Sequence, residues 1–337
     1  MNPTVIDIRD VSRHYGAVRA VDGVDLAIAR GEAVGLIGHN GAGKTTLFKL
    51  MLGLERPTAG TIAIDGESVH GARFREVRRH IGFMPESASL YPNLTGHETL
   101  RFFARLKNVD ASACLPLLER VGLAQAVDRP VRHYSKGMAQ RLLFAQALLG
   151  DPHILFLDEP THGLDPAGVS DFYAVLGEMR GRGVTVVLTS HVLAEVEQRV
   201  DRLALMSAGR LQASGTVQAL RDALDLPVGF EVQVREDGEA ALRAALSSIA
   251  IEPPAIAGGR ATFQCARGAK LAALAALTGL GTRILDIHVK EPTLEDVFLG
   301  YRRNGARCGS FPDGGARAAK PRPDVRARDR RCEVGAP

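Results

Sequence analysis

Tryptophan is absent from the 337-residue chain, and aromatic residues make up only 5% of it. That scarcity argues against a nucleic-acid binder built on stacked bases, which needs aromatic platforms. Cysteine is nearly as sparse, with Cys114, Cys265, Cys308 and Cys332 scattered and no CxxC pair among them. Neither a disulfide framework nor a thiolate metal site is expected, and a reducing compartment fits. No run of about 18 apolar residues could span a bilayer, and no basic-then-apolar signal segment opens the sequence. Any work at a membrane would be done from the cytoplasmic side through a partner.

Ordinary globular composition is what remains, with 45% hydrophobic and 24% charged residues. The formal charge is only +4, and the basic excess is concentrated in the tail from Arg302 to Pro337. The globular part therefore gives no reason to expect a nucleic-acid groove. Short β-branched runs such as VIDIRDV, AVGLIG, HILFLDEP, VTVVLTS and RLALM alternate with helical stretches such as GKTTLFKLMLGL and DFYAVLGEMRGRG. Alternation of this kind predicts an α/β fold with a largely parallel sheet over 1–226. Strand signals vanish between about Ser87 and Gly150, so a helical subdomain is expected at 87–150. After the Pro227 break the pattern becomes strand, helix, strand, helix, strand, which predicts a small α+β domain at 228–301. The aperiodic stretch 302–337, rich in Gly, Pro, Arg and Ala, is expected to be a disordered basic tail.

Chemistry is densest at GHNGAGKTT, residues Gly38, His39, Asn40, Gly41, Ala42, Gly43, Lys44, Thr45 and Thr46. It satisfies GxxxxGK[ST] with a strand before it and a helix after it, the context this phosphate loop needs. Its backbone N–H groups and the helix N-terminus would cradle phosphates, Lys44 would reach the β and γ oxygens, and Thr45 would ligate Mg²⁺. ILFLDEP ends a buried strand with Asp158 and Glu159, at the carboxyl edge where nucleotide sites form. Asp158 is expected to hold Mg²⁺ through its water shell and Glu159 to polarise an attacking water. VTVVLTSH ends another strand at His191, placed to reach a γ-phosphate or that water. Tyr15 in SRHYGAVRA could stack on an adenine face, with ordinary packing nearly as good an explanation.

The order of these pieces, phosphate loop, helical insert, YSKGM, LDEP, GLD and SH, resembles an ATP-binding-cassette (ABC) ATPase from about Val5 to Leu224. The resemblance implies ATP and Mg²⁺ as ligands and head-to-tail pairing of two copies. ATP would lie between the phosphate loop of one and the signature loop, Ser135, Lys136, Gly137 and Met138, of the other. It assigns Tyr15 to adenine stacking, Asp165 to the D-loop and His191 to the switch position. Two positions depart from the usual pattern. Glu86 in GFMPES stands where a glutamine touching Mg²⁺ and water is usual, and YSKGM replaces LSGGQ. A carboxylate is still an oxygen ligand for Mg²⁺, so Glu86 is retained as a metal and catalytic candidate. Ser135 and Gly137, the groups that would face a γ-phosphate, are kept. Lys136 is expected to have an ordinary backbone and the site to work.

EPTLEDVF, Glu291 to Phe298, resembles the closing segment of ATPase subunits serving bacterial permeases of the ABC-2 kind. Together with MPES, LYPNLTGHETLRFFARLK and YSKGMAQRLLFAQALLGDP it resembles, more narrowly, NosF-type subunits of the copper-site maturation transporter for nitrous-oxide reductase. That implies a membrane permease, a periplasmic partner behind it, no nucleic acid, and a place on the cytoplasmic face of the bacterial inner membrane. ABC-2 exporters of drugs, polysaccharide or ions share several of these pieces and stay open as an alternative. A soluble cassette protein would be expected to show two cassettes or sustained heptads, and a GTPase an NKxD stretch. A permease contact is expected around Leu90 to Leu106, although Phe102 and Phe103 individually read as a buried helix face.

Overall fold

Three short apolar runs form the centre of the main sheet. The computed structural model describes residues 3–87, 89–191, 193–224, 226–292, 296 and 317–318. Within it AVGLI becomes β3 (Ala33–Ile37), ILFL becomes β7 (Ile154–Leu157) and TVVLTS becomes β8 (Thr185–Ser190), each buried along its whole length. Strands apolar on both faces need cover on both faces, as parallel sheets have. Successive side chains obey this. Ala33 and Ile37 of β3, and Leu155 and Leu157 of β7, enter one core; Val34, Leu36, Ile154 and Phe156 enter the other.

With β6 (Ile81–Met84), β9 (Arg202–Ser207), β10 (Arg210–Gly215) and β15 (Arg317–Ala318), the seven-stranded order is β15-β10-β9-β3-β8-β7-β6. Pairing is parallel from β9 to β6 and antiparallel at the β9–β10 and β10–β15 edge. One face packs on α1 (Lys44–Met51) and on a separate antiparallel sheet of order β2-β1-β4-β5. That sheet comprises β1 (Thr4–Tyr15), β2 (Val18–Ala29), β4 (Ala59–Ile64) and β5 (Glu67–Ser68), followed by the short α2 (Phe74–Arg79). The run VIDIRDV therefore belongs to this antiparallel sheet rather than to the parallel one. Its burial pattern alternates more than that of AVGLI because its second face is only partly covered.

The core on the opposite face of the main sheet is shared by helices from the middle of the chain, with the first two of them packed on one another and on the third. They are α3 (Gly96–Lys107), α4 (Cys114–Arg120), α5 (Lys136–Leu148) and α6 (Pro166–Gly181). Helix α3 starts at a capping box, Thr95 with Glu98, and stops at Asn108 in the left-handed region. It buries Leu100 and Ala104, whereas Phe102 is 37% exposed and edge-on to the exposed Tyr91. The buried-face expectation thus fails for Phe102, because the helix turns Thr99, Leu100 and Ala104 inward instead. Phe103 is half-buried against the core. Two short helices, α7 (Leu193–Glu197) and α8 (Val217–Leu224), close the first part of the chain.

A third core belongs to the C-terminal segment alone. There β11 (Val228–Val234), α9 (Glu239–Leu246), β12 (Ala255–Ala257), β13 (Arg260–Cys265), α10 (Lys270–Thr278) and β14 (Ile284–Lys290) form an antiparallel sheet ordered β12-β13-β11-β14. This is the split βαβ, ferredoxin-like arrangement. Strand β12 is absent from the sequence expectation because it is only three residues long. Its signal was the Gly258-Gly259 pair, both at positive φ, which closes a two-residue hairpin into β13. Most of the closing segment EPTLEDVF, Cys308, Cys332 and nearly all of 302–337 lie outside the described residues; Arg317–Ala318 pairs with the β10 edge. Cys114 and Cys265 are buried and unbridged. Among the described residues no helix is long and apolar enough to cross a membrane.

Candidate functional site

Strand order sets the order of the site. Neighbours β3, β8, β7 and β6 are parallel and end, respectively, at Gly38, His191, Asp158 and Pro85-Glu86. All four sequence-predicted segments are thereby brought to one carboxyl edge.

The phosphate loop leads directly into α1, capped by Gly43 at φ 102°. A β-carbon at Gly43 would stand 2.3 Å from the Ala20 carbonyl oxygen, so neither its conformation nor its space admits a side chain. The loop that results wraps around Lys44, which is buried and donates from Nζ to the Gly38 carbonyl at 2.6 Å. Burial pulls the Lys44 ammonium below its ordinary pKa, partly offset by Glu159, Asp158 and Glu86. Three carboxylates thus act on one buried cation. His39, Asn40 and Gly41 are exposed at the rim, with His39 Nδ1 2.7 Å from the Asn40 carbonyl; Ala42 is buried, and Thr46 half-buried on the first turn of α1.

Thr45 Oγ1 donates to Asp158 Oδ2 at 3.2 Å. The other carboxylate oxygen, Oδ1, accepts from Thr189 Oγ1 at 2.6 Å, and that hydroxyl in turn accepts from the Glu159 N–H at 2.9 Å. Thr189 therefore aims both carboxylate residues. It had no motif to mark it; the only signal was a polar residue inside the buried strand TVVLTS. Glu159 sits at φ 47°, a left-handed conformation costly for a non-glycine residue and typical of functional positions. His191 Nδ1 lies 2.7 Å from Glu159 Oε2, so the carboxylate accepts the Nδ1 proton and Nε2 is left for another partner. The unit is a carboxylate steered by an imidazole, able to take a proton from water.

An oxygen pair such as Thr45 and Asp158 suits Mg²⁺, which keeps most of its waters and binds phosphates rather than a dedicated cage. No cluster of three or more His, Cys, Asp or Glu able to hold a metal occurs among the described residues. The residues fit the ion, with Glu86 available nearby as a further carboxylate facing His162.

The residues expected to form the signature loop lie at the N-terminus of α5. Ser135 caps α5 and accepts from the Met138 N–H at 3.2 Å, and Lys136 is the first residue of the helix. No positive φ is found at Lys136, which agrees with the expected ordinary backbone. Gly137 lies against the loop after Glu159: a β-carbon there would stand 3.1 Å from the Gly163 carbonyl. Gln140, unforeseen and buried, donates to the Pro160 carbonyl at 3.2 Å. Asp165 caps α6 by accepting from the Gly168 N–H at 2.9 Å. Tyr15 is exposed, bonded to Glu55, and covered on one ring face by the Arg13 guanidinium at 4.5 Å. That face is closed to a flat ligand.

The family model described as "ABC transporter" matches residues 21–162. A daunorubicin resistance ATP-binding protein of Streptomyces coeruleorubidus is 36% identical over 310 residues, spanning 89% of this chain and 96% of that protein. The Nod factor export ATP-binding protein I of Burkholderia orbicola is 39% identical over 255 residues, 74% of this chain and 83% of that one. Among solved structures, the ATP-binding subunit of an ABC transporter matches with TM-score 0.61 and 33% identity, over 65% of this chain and 93% of its own. A dimeric bacterial ABC transporter cassette matches with TM-score 0.59 and 25% identity, over 63% of this chain and 98% of its own.

Proposed function

The chain belongs to the ATP-binding subunits of ABC transporters, and from that premise we propose that it hydrolyses ATP to drive an ABC-2-type exporter as a head-to-tail pair. The observation that carries this reading is one continuous site. Buried Lys44, the Thr45–Asp158 pair and the Glu159–His191 pair share the carboxyl edge of a single sheet. In this reading Lys44 and the N–H groups of 38–46 bind the triphosphate, while the exposed Tyr15 ring serves the adenine. Thr45, Asp158 and Glu86 would hold Mg²⁺, which supplies charge neutralisation at the phosphates when bound. Glu159 takes the proton of the attacking water, and His191 steers that carboxylate and keeps Nε2 for the γ-phosphate. Ser135 and Gly137 serve the ATP held by the second copy, with Lys136 and Met138 flanking them.

Export is the direction we favour, since relatives named for daunorubicin resistance and Nod factor export align over most of the chain. The subunit would work on the cytoplasmic face of the bacterial inner membrane, docking a permease through the exposed Tyr91, Phe102 and Leu106. A second reading, copper-site maturation of nitrous-oxide reductase with a periplasmic partner, rests on the combination of MPES, LYPNLTGHETLRFFARLK, YSKGMAQRLLFAQALLGDP and EPTLEDVF.

Glu159→Gln decides the core of the proposal. It is expected to cut ATP turnover by about 100-fold or more while ATP still binds, leaving a nucleotide-bound dimer on gel filtration. Normal turnover in that variant would remove Glu159 from the base role. Identifying the membrane protein that co-purifies with the chain, and what accumulates in Lys44→Ala cells, separates export from copper maturation.

A further inference from the structure

The two positions at which the chain departs from the usual pattern, Glu86 and Lys136, are joined by a third residue. Lys136 Nζ lies 2.8 Å from His162 Nε2, and His162 Nδ1 faces Glu86 Oε1 at 3.8 Å. An ammonium only donates, so Nε2 is the accepting nitrogen and the ring proton sits on Nδ1, toward the carboxylate. The lysine stem is fitted to this path. It lies over Gly163, where a β-carbon would stand 2.7 Å from Lys136 Cδ. Gln140, one helical turn further along the same face of α5, reaches the Pro160 carbonyl of the same loop.

We propose that Lys136 and His162 are a positioning pair for Glu86, so that the signature loop of each chain helps to orient a carboxylate of its own ATP site. The proposal rests on the ATP-site reading above. An amide at position 86 could donate as well as accept, whereas a carboxylate only accepts and adds a negative charge beside Asp158, Glu159 and the triphosphate. His162 holds a donor, Nδ1–H, on the side of Glu86. Lys136 fixes the imidazole tautomer and returns a positive charge. Glu86 and His162 are both exposed in the single chain and 3.8 Å apart, beyond hydrogen-bond reach, whereas the Lys136–His162 contact at 2.8 Å already sets the tautomer there. The His162–Glu86 contact tightens once nucleotide and a second copy exclude water. The signature serves the neighbour's ATP in that reading, so the pair also ties one site's signature to the other site's lytic end.

The test is a double-mutant cycle on the full chain, with steady-state ATP hydrolysis as one readout. Lys136→Gly and His162→Ala are each expected to lower kcat by about tenfold with Glu86 present, with little change in the KM for ATP. In a Glu86→Gln background the same substitutions should cost less than about threefold, since the amide no longer needs the donor. Equal losses in both backgrounds overturn the proposal. A second readout is the imidazole tautomer of His162, followed by long-range proton–nitrogen correlations at about pH 8, where an ordinary imidazole is neutral. The expected result is an Nδ1–H form in the natural chain that becomes mixed in Lys136→Gly. A natural chain already mixed overturns the proposal, whether or not the isolated chain turns over ATP. Absence of turnover with the expected tautomer counts against the ATPase reading alone.

Discussion

The carboxyl edge of the main sheet and the C-terminal sheet use the same residue types to opposite ends. At the edge, Asp158, Glu159 and Thr189 are buried, bonded to one another, and one of them stands in a left-handed backbone conformation. In the C-terminal sheet the acidic residue at the centre, Glu231, faces outward between Arg260 and Lys290, and the interior is apolar: Phe230, Phe263, Leu242 and Leu277. Polar groups withdrawn from water must be paired, which constrains their neighbours one by one. Polar groups left in water constrain almost nothing. The first region is thereby committed to one chemistry, while the second specifies only a shape.

The sharpest way to separate the two regions is to empty the core of the second. Phe230 is 2% exposed and stacks on Phe263 with ring centroids 4.8 Å apart. Phe230→Ala should cost about 3–5 kcal/mol of the stability of that segment, seen as an earlier, separate step in calorimetry. ATP turnover should stay within about twofold, because none of the residues of this core enters the other two. A parallel fall in turnover would break the comparison and make the chain one cooperative unit. Thr189→Val makes the complementary change. The isosteric methyl leaves Asp158 Oδ1 and the Glu159 N–H without the hydroxyl they share, a loss of about 1–3 kcal/mol. Its larger effect should fall on kcat, by about tenfold, because both carboxylates lose their aim.

The same contrast explains how much was legible in the sequence. GHNGAGKTT, LDEP and SH were readable because a site that wraps a triphosphate admits few residue types at each step; Gly43 has no room for a β-carbon. Thr189 and Gln140 went unseen because their partners lie about 20–30 residues away in sequence, and only the fold brings them together. His162 lies between LDEP and GLD, in neither of them, and nothing in the sequence pairs it with Lys136. In the C-terminal segment the helices and long strands followed their periodicity. The three-residue β12 gave too few residues for any period, leaving its Gly-Gly turn as the sole trace. Phe102 was misread because an apolar residue on a helix was assigned to the buried stripe; its neighbours Leu100 and Ala104 fill that stripe.

The smallest expected effect comes from the outward carboxylate. Glu231 accepts from Lys290 at 2.7 Å and faces Arg260 at 3.0 Å. The Lys290 hydrogen bond, followed by the charge of Arg260, holds its carboxyl below the ordinary glutamate range. A lowered folded value means that the pairing stabilises above the ordinary glutamate pKa and that this contribution is lost as pH falls through the folded value. Solvent and salt screen a pair whose two cations are exposed, so Glu231→Gln should move the melting temperature of the C-terminal step by about a degree or less at neutral pH. The difference from the natural chain should vanish in acid, where both side chains are neutral, and shrink in high salt. A large, salt-resistant loss at neutral pH would mean that Glu231 is shielded from water by something the single chain does not supply. The outer face of this sheet would then have to be grouped with the buried edge of the main sheet rather than contrasted with it.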